Sequence, residues 1–166
     1  MAVSGKPNAE YMLDSLMANL KLITTANGFW VDVKTVLLPE FEPFADIMMA
    51  VDDPALLVWV VSESPEAGRI GAPDRAMEVW IAGVIKSERL IQVQLIRLMT
   101  AVRQCLLNNR QLNYPGLVSV PNTWGRRIEE MNEGVVYEIK RGDQSKASGR
   151  FLSKWKVVYG YTSQAG

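Results

Sequence analysis

The chain has 166 residues, is 48% hydrophobic, and balances 18 Lys plus Arg against 18 Asp plus Glu. This describes one globular domain over 1–166 with short flexible tails expected at 1–8 and 162–166, and zero net charge argues against wholesale charge-driven binding to nucleic acid or membrane. Histidine is absent and cysteine occurs once, at Cys105, which removes the commonest general base, histidine-activated nucleophiles, the commonest zinc ligand and any internal disulfide.

Residues 9–25 read as a first helix, with Asn8 as its cap and Leu13, Leu16, Met17, Leu20 and Ile23 on one apolar face. Asn27-Gly28 ends it, because both residues tolerate a positive φ. Phe29 to Leu38 alternates, placing Phe29, Val31, Val33, Thr35 and Leu37 opposite Trp30, Asp32 and Lys34, as in a half-buried strand. Pro39 closes that strand and opens an irregular acidic excursion through residue 54, with a helical turn near Ala45–Ala50. Its Phe41 and Phe44 are too apolar for a solvated linker. They pack under the loop or meet a partner subunit.

Ala55–Val61 is a continuous apolar run, as expected for a strand covered on both faces. Residues 62–75 are dense in Gly, Pro, Ser and charge, so a projecting loop is expected. Ala76–Ile85 resumes as a strand, and Gly83 reads as a bulge or a close approach of a helix. The two strands should pair as an antiparallel hairpin with a long arm.

The stretch 87–110 contains neither Gly nor Pro. Ile91, Leu95, Leu98, Met99, Val102, Cys105 and Leu106 recur at intervals of three and four, so they share one face of a long helix. Ser87 is placed to cap it, and Asn108-Asn109 to stop it. Leu90, Val93, Ile96 and Leu107 fall outside the stripe, which predicts cover on a second face. Tyr114-Pro115-Gly116 then turns the chain, and 126–131 reads as one helical turn. Val135–Lys140 alternates as a strand, 141–149 is polar loop, and Phe151–Tyr161 is the last strand. There Phe151, Trp155, Val157 and Tyr159 oppose Lys154 and Lys156.

No reactive constellation emerges, and the expectation is no enzyme, no cofactor and no metal. The adjacent pairs Asp52-Asp53 and Glu129-Glu130 do not converge by spacing, and the Gly68–Gly71 piece does not lead from a strand into a helix. Arg141-Gly142-Asp143 matches an integrin-type tripeptide only at the chance level. The apolar runs fall far short of the roughly 18 residues that span a bilayer, and 1–11 lacks a signal peptide's apolar core. A protein kept in the cytosol follows. Trp30 and Trp80, on strand faces opposite the better apolar stripe, point to a covered second face.

The order is helix, strand, long loop, hairpin with an arm, long helix, hairpin, which makes an α+β fold with a mostly antiparallel sheet. With 87–110 as central helix, LLVWVVSESPEAGRIGAPDRAMEVWIAGV as armed hairpin and VVYEIKRGDQSKASGRFLSKWKVVY as closing hairpin, it resembles the tail terminator proteins of long-tailed bacteriophages. The resemblance covers about residues 9–161. It implies a structural virion protein, assembled in the bacterial cytoplasm, that caps the head-proximal end of the tail tube as a hexameric ring. DNA would pass through that ring without specific binding. Its partners would be copies of itself, the tail tube protein and neck or connector proteins. Expected partner-contact residues are Glu63, Glu66, Arg69, Asp74, Arg75, Arg141, Lys146 and Arg150. The expected subunit interface holds Trp30, Phe41, Phe44 and Trp80. A neck or connector protein, a small enzyme and a stand-alone protein-binding module are the alternatives.

Overall fold

The alternating stretches resolve into strands of one six-stranded sheet, and the helical stripes pack together on one of its faces. The computed structural model describes residues 8–39, 51–69, 72–87, 89–108, 125–132, 134–141 and 147–160. In chain order these form α1 (Asn8–Leu20), a 3₁₀ turn (Thr25–Asn27), β1 (Thr35–Leu37), β2 (Ala55–Arg69), β3 (Ala72–Ser87), α2 (Ile91–Asn108), β4 (Gly125–Glu130), β5 (Val136–Arg141) and β6 (Ala147–Gly160). The sheet runs β1-β2-β3-β6, and β4 and β5 share the far side of β6. Among the described residues only β1 and β2 pair in parallel. The expected α+β class and element order hold, with one further strand.

The centre is the antiparallel ladder of β3 and β6, registered from Asp74 opposite Gly160 to Ser87 opposite Ala147. Successive side chains alternate between faces. Met77, Val79, Ile81 and Ile85 therefore join Phe151, Trp155, Val157 and Tyr159 on the helix-covered face. Ser153, buried among them, donates to the Ile81 carbonyl at 3.0 Å and accepts the Trp155 indole N–H at 3.0 Å. Leu95, Leu98, Met99, Val102, Cys105 and Leu106 of α2 are buried as their spacing predicts, and Ile91 packs against them. The helix lies close on β6. A Cβ on Gly149 would sit 2.6 Å from Leu95 Cδ1 and 3.0 Å from Ile91 Cγ1. At Gly83 the close neighbour is not a helix but the Phe151 ring, which occupies the space a Cβ would need.

Several expectations are corrected. The buried face of α1 is carried by Met12, Ser15, Leu16, Asn19 and Leu20, while Leu13 and Met17 are only half-buried. The polar pair is satisfied, since Asn19 Nδ2 donates to the Ser15 carbonyl at 2.7 Å and the Cys105 thiol to the Asn19 carbonyl at 3.1 Å. The strand expected over Phe29–Leu38 shrinks to Thr35–Leu37. Phe29, Val31 and Val33 do pack on the core, but the backbone there bonds locally, Phe29 N–H to Thr24 O and Val33 N–H to Ile23 O. Val36, rather than Thr35 or Leu37, continues the buried side.

The long helix starts at Ile91. Ser87 Oγ instead accepts the Arg89 amide at 3.2 Å and the Gln94 side-chain N–H at 2.9 Å, folding the turn ahead of the helix. Leu90, Val93 and Ile96 are exposed, so the second covered face predicted for α2 is absent among the described residues. The helical turn expected at 126–131 is instead strand as far as Glu130, the end of β4, with Ile128 buried between outward Arg127 and Glu129. The loop expected at 62–75 is mostly paired strand. Asp53 is structural, as its Oδ2 accepts the Lys86 amide at 3.0 Å. Phe41, Phe44, the turn at 45–50, the turn at Tyr114, and the tails other than Asn8 lie outside the described residues.

Leu95→Ala and Leu98→Ala should each cost about 2–5 kcal/mol, because each leaves a cavity between helix and sheet. Gly149→Ala should cost about 1–3 kcal/mol by overpacking. Denaturant melts check all three. Parental stability in any of them would show that α2 does not seat on β6 through these side chains.

Candidate interaction surface

Beyond Val60 the β2–β3 hairpin leaves apolar sequence behind, and charge takes over the work of alignment. A bulge between Val60 and Ser62 shifts the register, after which Glu63 faces Met77, Pro65 faces Arg75 and Glu66 faces Asp74. On the helix side Glu63 accepts from Arg75 Nε at 2.7 Å and from the Tyr159 hydroxyl. On the opposite side Glu66 accepts from Arg127 Nη2 at 2.9 Å and Lys156 Nζ at 3.0 Å. Glu129 extends that second cluster, 3.8 Å from Arg127 Nε. The arm is therefore braced to β4 and β6 through both faces.

The clusters shift the titration of their members. The Tyr159 hydrogen bond, with help from Arg75, holds the Glu63 carboxyl below its ordinary value despite partial burial. Lys156 first, then Arg127, does the same for Glu66. Burial, reinforced by the Glu63 carboxylate, pushes the Tyr159 phenol up. At the other end of the sheet Arg150 Nε donates to Glu138 Oε2 at 2.8 Å, and Lys140 Nζ lies 3.1 Å from Glu138 Oε1. These two bases lower the Glu138 value, Arg150 most. Partly exposed pairs such as these contribute little stability each. Where they join different strands, as Glu63 with Arg75 and Tyr159, Glu66 with Arg127 and Lys156, and Glu138 with Arg150 do, their effect is register.

Of the expected contact residues, Glu63, Glu66, Asp74 and Arg75 thus sit together on the braced hairpin. Arg69 and Arg141 are the terminal residues of β2 and β5. Arg150 is held by Glu138, some strand-lengths from the arm, and Lys146 lies outside the described residues. The expected interface residues separate. Trp80 stands on β3 directly opposite Trp59, ring centroids 5.7 Å apart, with Lys154 Nζ 4.6 Å above its ring. That face also buries Ala55, Leu57, Ala82 and Val84, and neither described helix packs on it. The Trp80 indole N–H is buried without an acceptor. Trp30 does not share a strand face with Trp80. It precedes β1 on an irregular loop and is 68% exposed.

Sequence reading missed Tyr159, Arg127 and Lys156 as partners of the arm. The outward alternation of Lys154 and Lys156 was the available signal, but it does not say which strand lies alongside. Among the described residues no three of His, Cys, Asp and Glu gather as a metal set, and no helix is long and apolar enough to cross a membrane. Burial pushes the Cys105 thiol up to about 11.

No protein-family model matches the chain, and no curated protein matches it. Among solved structures it is similar to a chain of the virion of a native gene transfer agent (GTA) particle, at 11% identity and a TM-score of 0.42, over 96% of this chain and 98% of that one. At that score the two geometries differ too much for one to stand in for the other.

Glu63 and Glu66 are depressed in the fold, so what they add to stability is present above the ordinary carboxylate range of about 4.3 and is lost as pH falls through their lowered values. Tyr159 has the opposite sign: its contribution is present below about pH 10 and is lost as pH rises through its raised value. Glu63→Gln should flatten the acid limb of a plot of unfolding midpoint against pH. An unchanged limb would mean that the Tyr159 and Arg75 contacts do not persist in solution. Cys105 should resist alkylation at mildly alkaline pH until the chain unfolds.

Proposed function

We propose that this chain is a structural protein of a phage-like virion, and within that class a ring-forming cap at the head-proximal end of a tail tube. The reading rests on the resemblance of the element order to that of tail terminator proteins. It is carried by one observation: the charged residues of the β2–β3 arm are engaged with each other and with β4 and β6, not gathered around a cleft. Such an arm is stiff, and mixed charges fixed on a stiff support select partners by geometry while repelling wrong ones.

In this role the arm would meet the last ring of tube protein or a neighbouring neck protein. Copies of the chain would close the ring, and DNA would pass through without being trapped, which zero net charge permits. Assembly would take place in the host cytoplasm and the product would be part of the virion tail.

Arg69→Glu combined with Asp74→Lys reverses the charge order at the far end of the arm and leaves Glu63, Arg75 and Tyr159 in place. The doubly substituted chain should fold and melt like the parent, yet abolish the joining of tails to heads in a complementation assay. Tails of abnormal length point to the cap position, and normal tails left unjoined point to the neck. Normal virions at normal yield would overturn the reading.

A further inference from the structure

The two strands of the arm are held in different ways, and the difference lies in what each half buries. β3 keeps its ladder with β6 as far as Asp74, and it buries Ala76, Met77 and Val79 on the way. Among the described residues the outer half of β2 has no strand on its other side, because β1 pairs only with Ala55, Leu56 and Leu57. Residues 60–65 are all exposed, so no apolar side chain among them anchors the segment to the core.

The backbone pairing of this segment is interrupted as well. The ladder with β3 shifts register between Val60 and Ser62 and again between Glu66 and Arg69. Such bulges leave a residue unpaired and disrupt the ladder locally, and Pro65 between them has no N–H to give. Glu66 also stands directly opposite Asp74, a pair of like charges that weighs against the pairing. Within 62–66 two side chains tie the segment to the rest of the described sheet, and both are carboxylates. Glu63 reaches Arg75 at 2.7 Å, and also Tyr159, on the helix-covered face. Glu66 reaches Arg127 at 2.9 Å and Lys156 at 3.0 Å on the opposite face.

We propose that residues 62–66 are a latched strand, which opens from β3 about the bulge at Val61 while β3 stays on β6, and that Glu63 and Glu66 are its latch. Opening breaks the backbone bonds of one short segment together with the carboxylate contacts, and it withdraws no apolar side chain of 62–66 from the core. Openings of this size lie well below global unfolding in free energy. The stiff arm is the latched form. A neighbour that draws either carboxylate into contacts of its own releases the segment, while β3 keeps the direction of the arm. The device belongs to the arm itself and stands whichever partner the arm meets.

Hydrogen exchange of the full chain, read peptide by peptide through a series of denaturant concentrations below the unfolding transition, tests the latch. Exchange at 62–66 should be nearly independent of denaturant, because the opening exposes little surface, whereas 79–85 and 152–158 should follow the steep dependence of global unfolding. Leu98→Ala separates the two processes. It should speed exchange at 79–85 and 152–158 by at least about ten-fold and leave 62–66 unchanged. Glu63→Gln combined with Glu66→Gln should speed exchange at 62–66 by about ten-fold, with Glu66→Gln alone giving part of that gain. A steep denaturant dependence at 62–66 in the parent, or acceleration there by Leu98→Ala, would show that the segment opens only with the whole sheet and overturn the proposal. Parent-like exchange at 62–66 in both glutamine variants would overturn the carboxylates as its latch. None of these outcomes bears on the virion role, which the arm reversal tests by itself.

Discussion

The antiparallel ladder between β3 and β6 is the constraint on which the rest depends. Its register puts Val79 beside Trp155 and Met77 beside Val157, and so assembles the floor on which both helices rest. The same register brings Tyr159 level with Arg75 and therefore within reach of Glu63. It also sets Gly149 under the first turns of α2, where only a hydrogen fits. A slip by one residue would turn every one of these side chains to the wrong face. The bidentate contact of Arg103 with Glu130, at 2.9 and 3.0 Å, then ties α2 to β4 and carries the alignment out to the sheet edge.

What could be read directly from the sequence was whatever the chain repeats at a fixed period. The seven-residue stripe of α2, the two faces of β6 and the central part of β3 followed from spacing, because burial on one side imposes that spacing. The arm did not follow. Glu66 meets Lys156, ninety positions away, so polar residues that look like loop when read locally become strand once their partners are in register. β4 was hidden for the same reason, its Arg127 and Glu129 making sense only beside Lys156. At Phe29–Val33 the failure ran the other way. The alternation was real and buried one side, but the Thr24 and Ile23 carbonyls claimed the Phe29 and Val33 amides before a neighbouring strand could. Of the candidate surface residues, Glu63, Glu66, Asp74 and Arg75 were legible as charges gathered on one arm, while Tyr159, Arg127 and Lys156 needed the register of β6 before they could be seen as its partners.

Charge in this protein is mostly turned inward on the sheet rather than outward to a ligand. Glu63, Glu66 and Glu138 each bridge strands, and the bases they hold come from β3, β4, β5 and β6. A surface organised in this way is rigid and nearly neutral over short distances. It presents shape more than it presents field.

The break in the edge beside β6 has a consequence for solubility. β4 and β5 pair with successive parts of β6, and between them the chain leaves the ladder at a segment containing Gly134 at φ 76°. On the far side, β2 is paired with β1 only through Leu57, then carries the bulge at Val61 and Pro65, which has no N–H to offer. Among the described residues neither margin presents a long, regular row of backbone donors and acceptors to a stray strand. Long-range repulsion cannot keep copies of a chain with zero net charge apart. Irregular margins act at short range instead, by offering a second copy few regular backbone positions on which to add a strand.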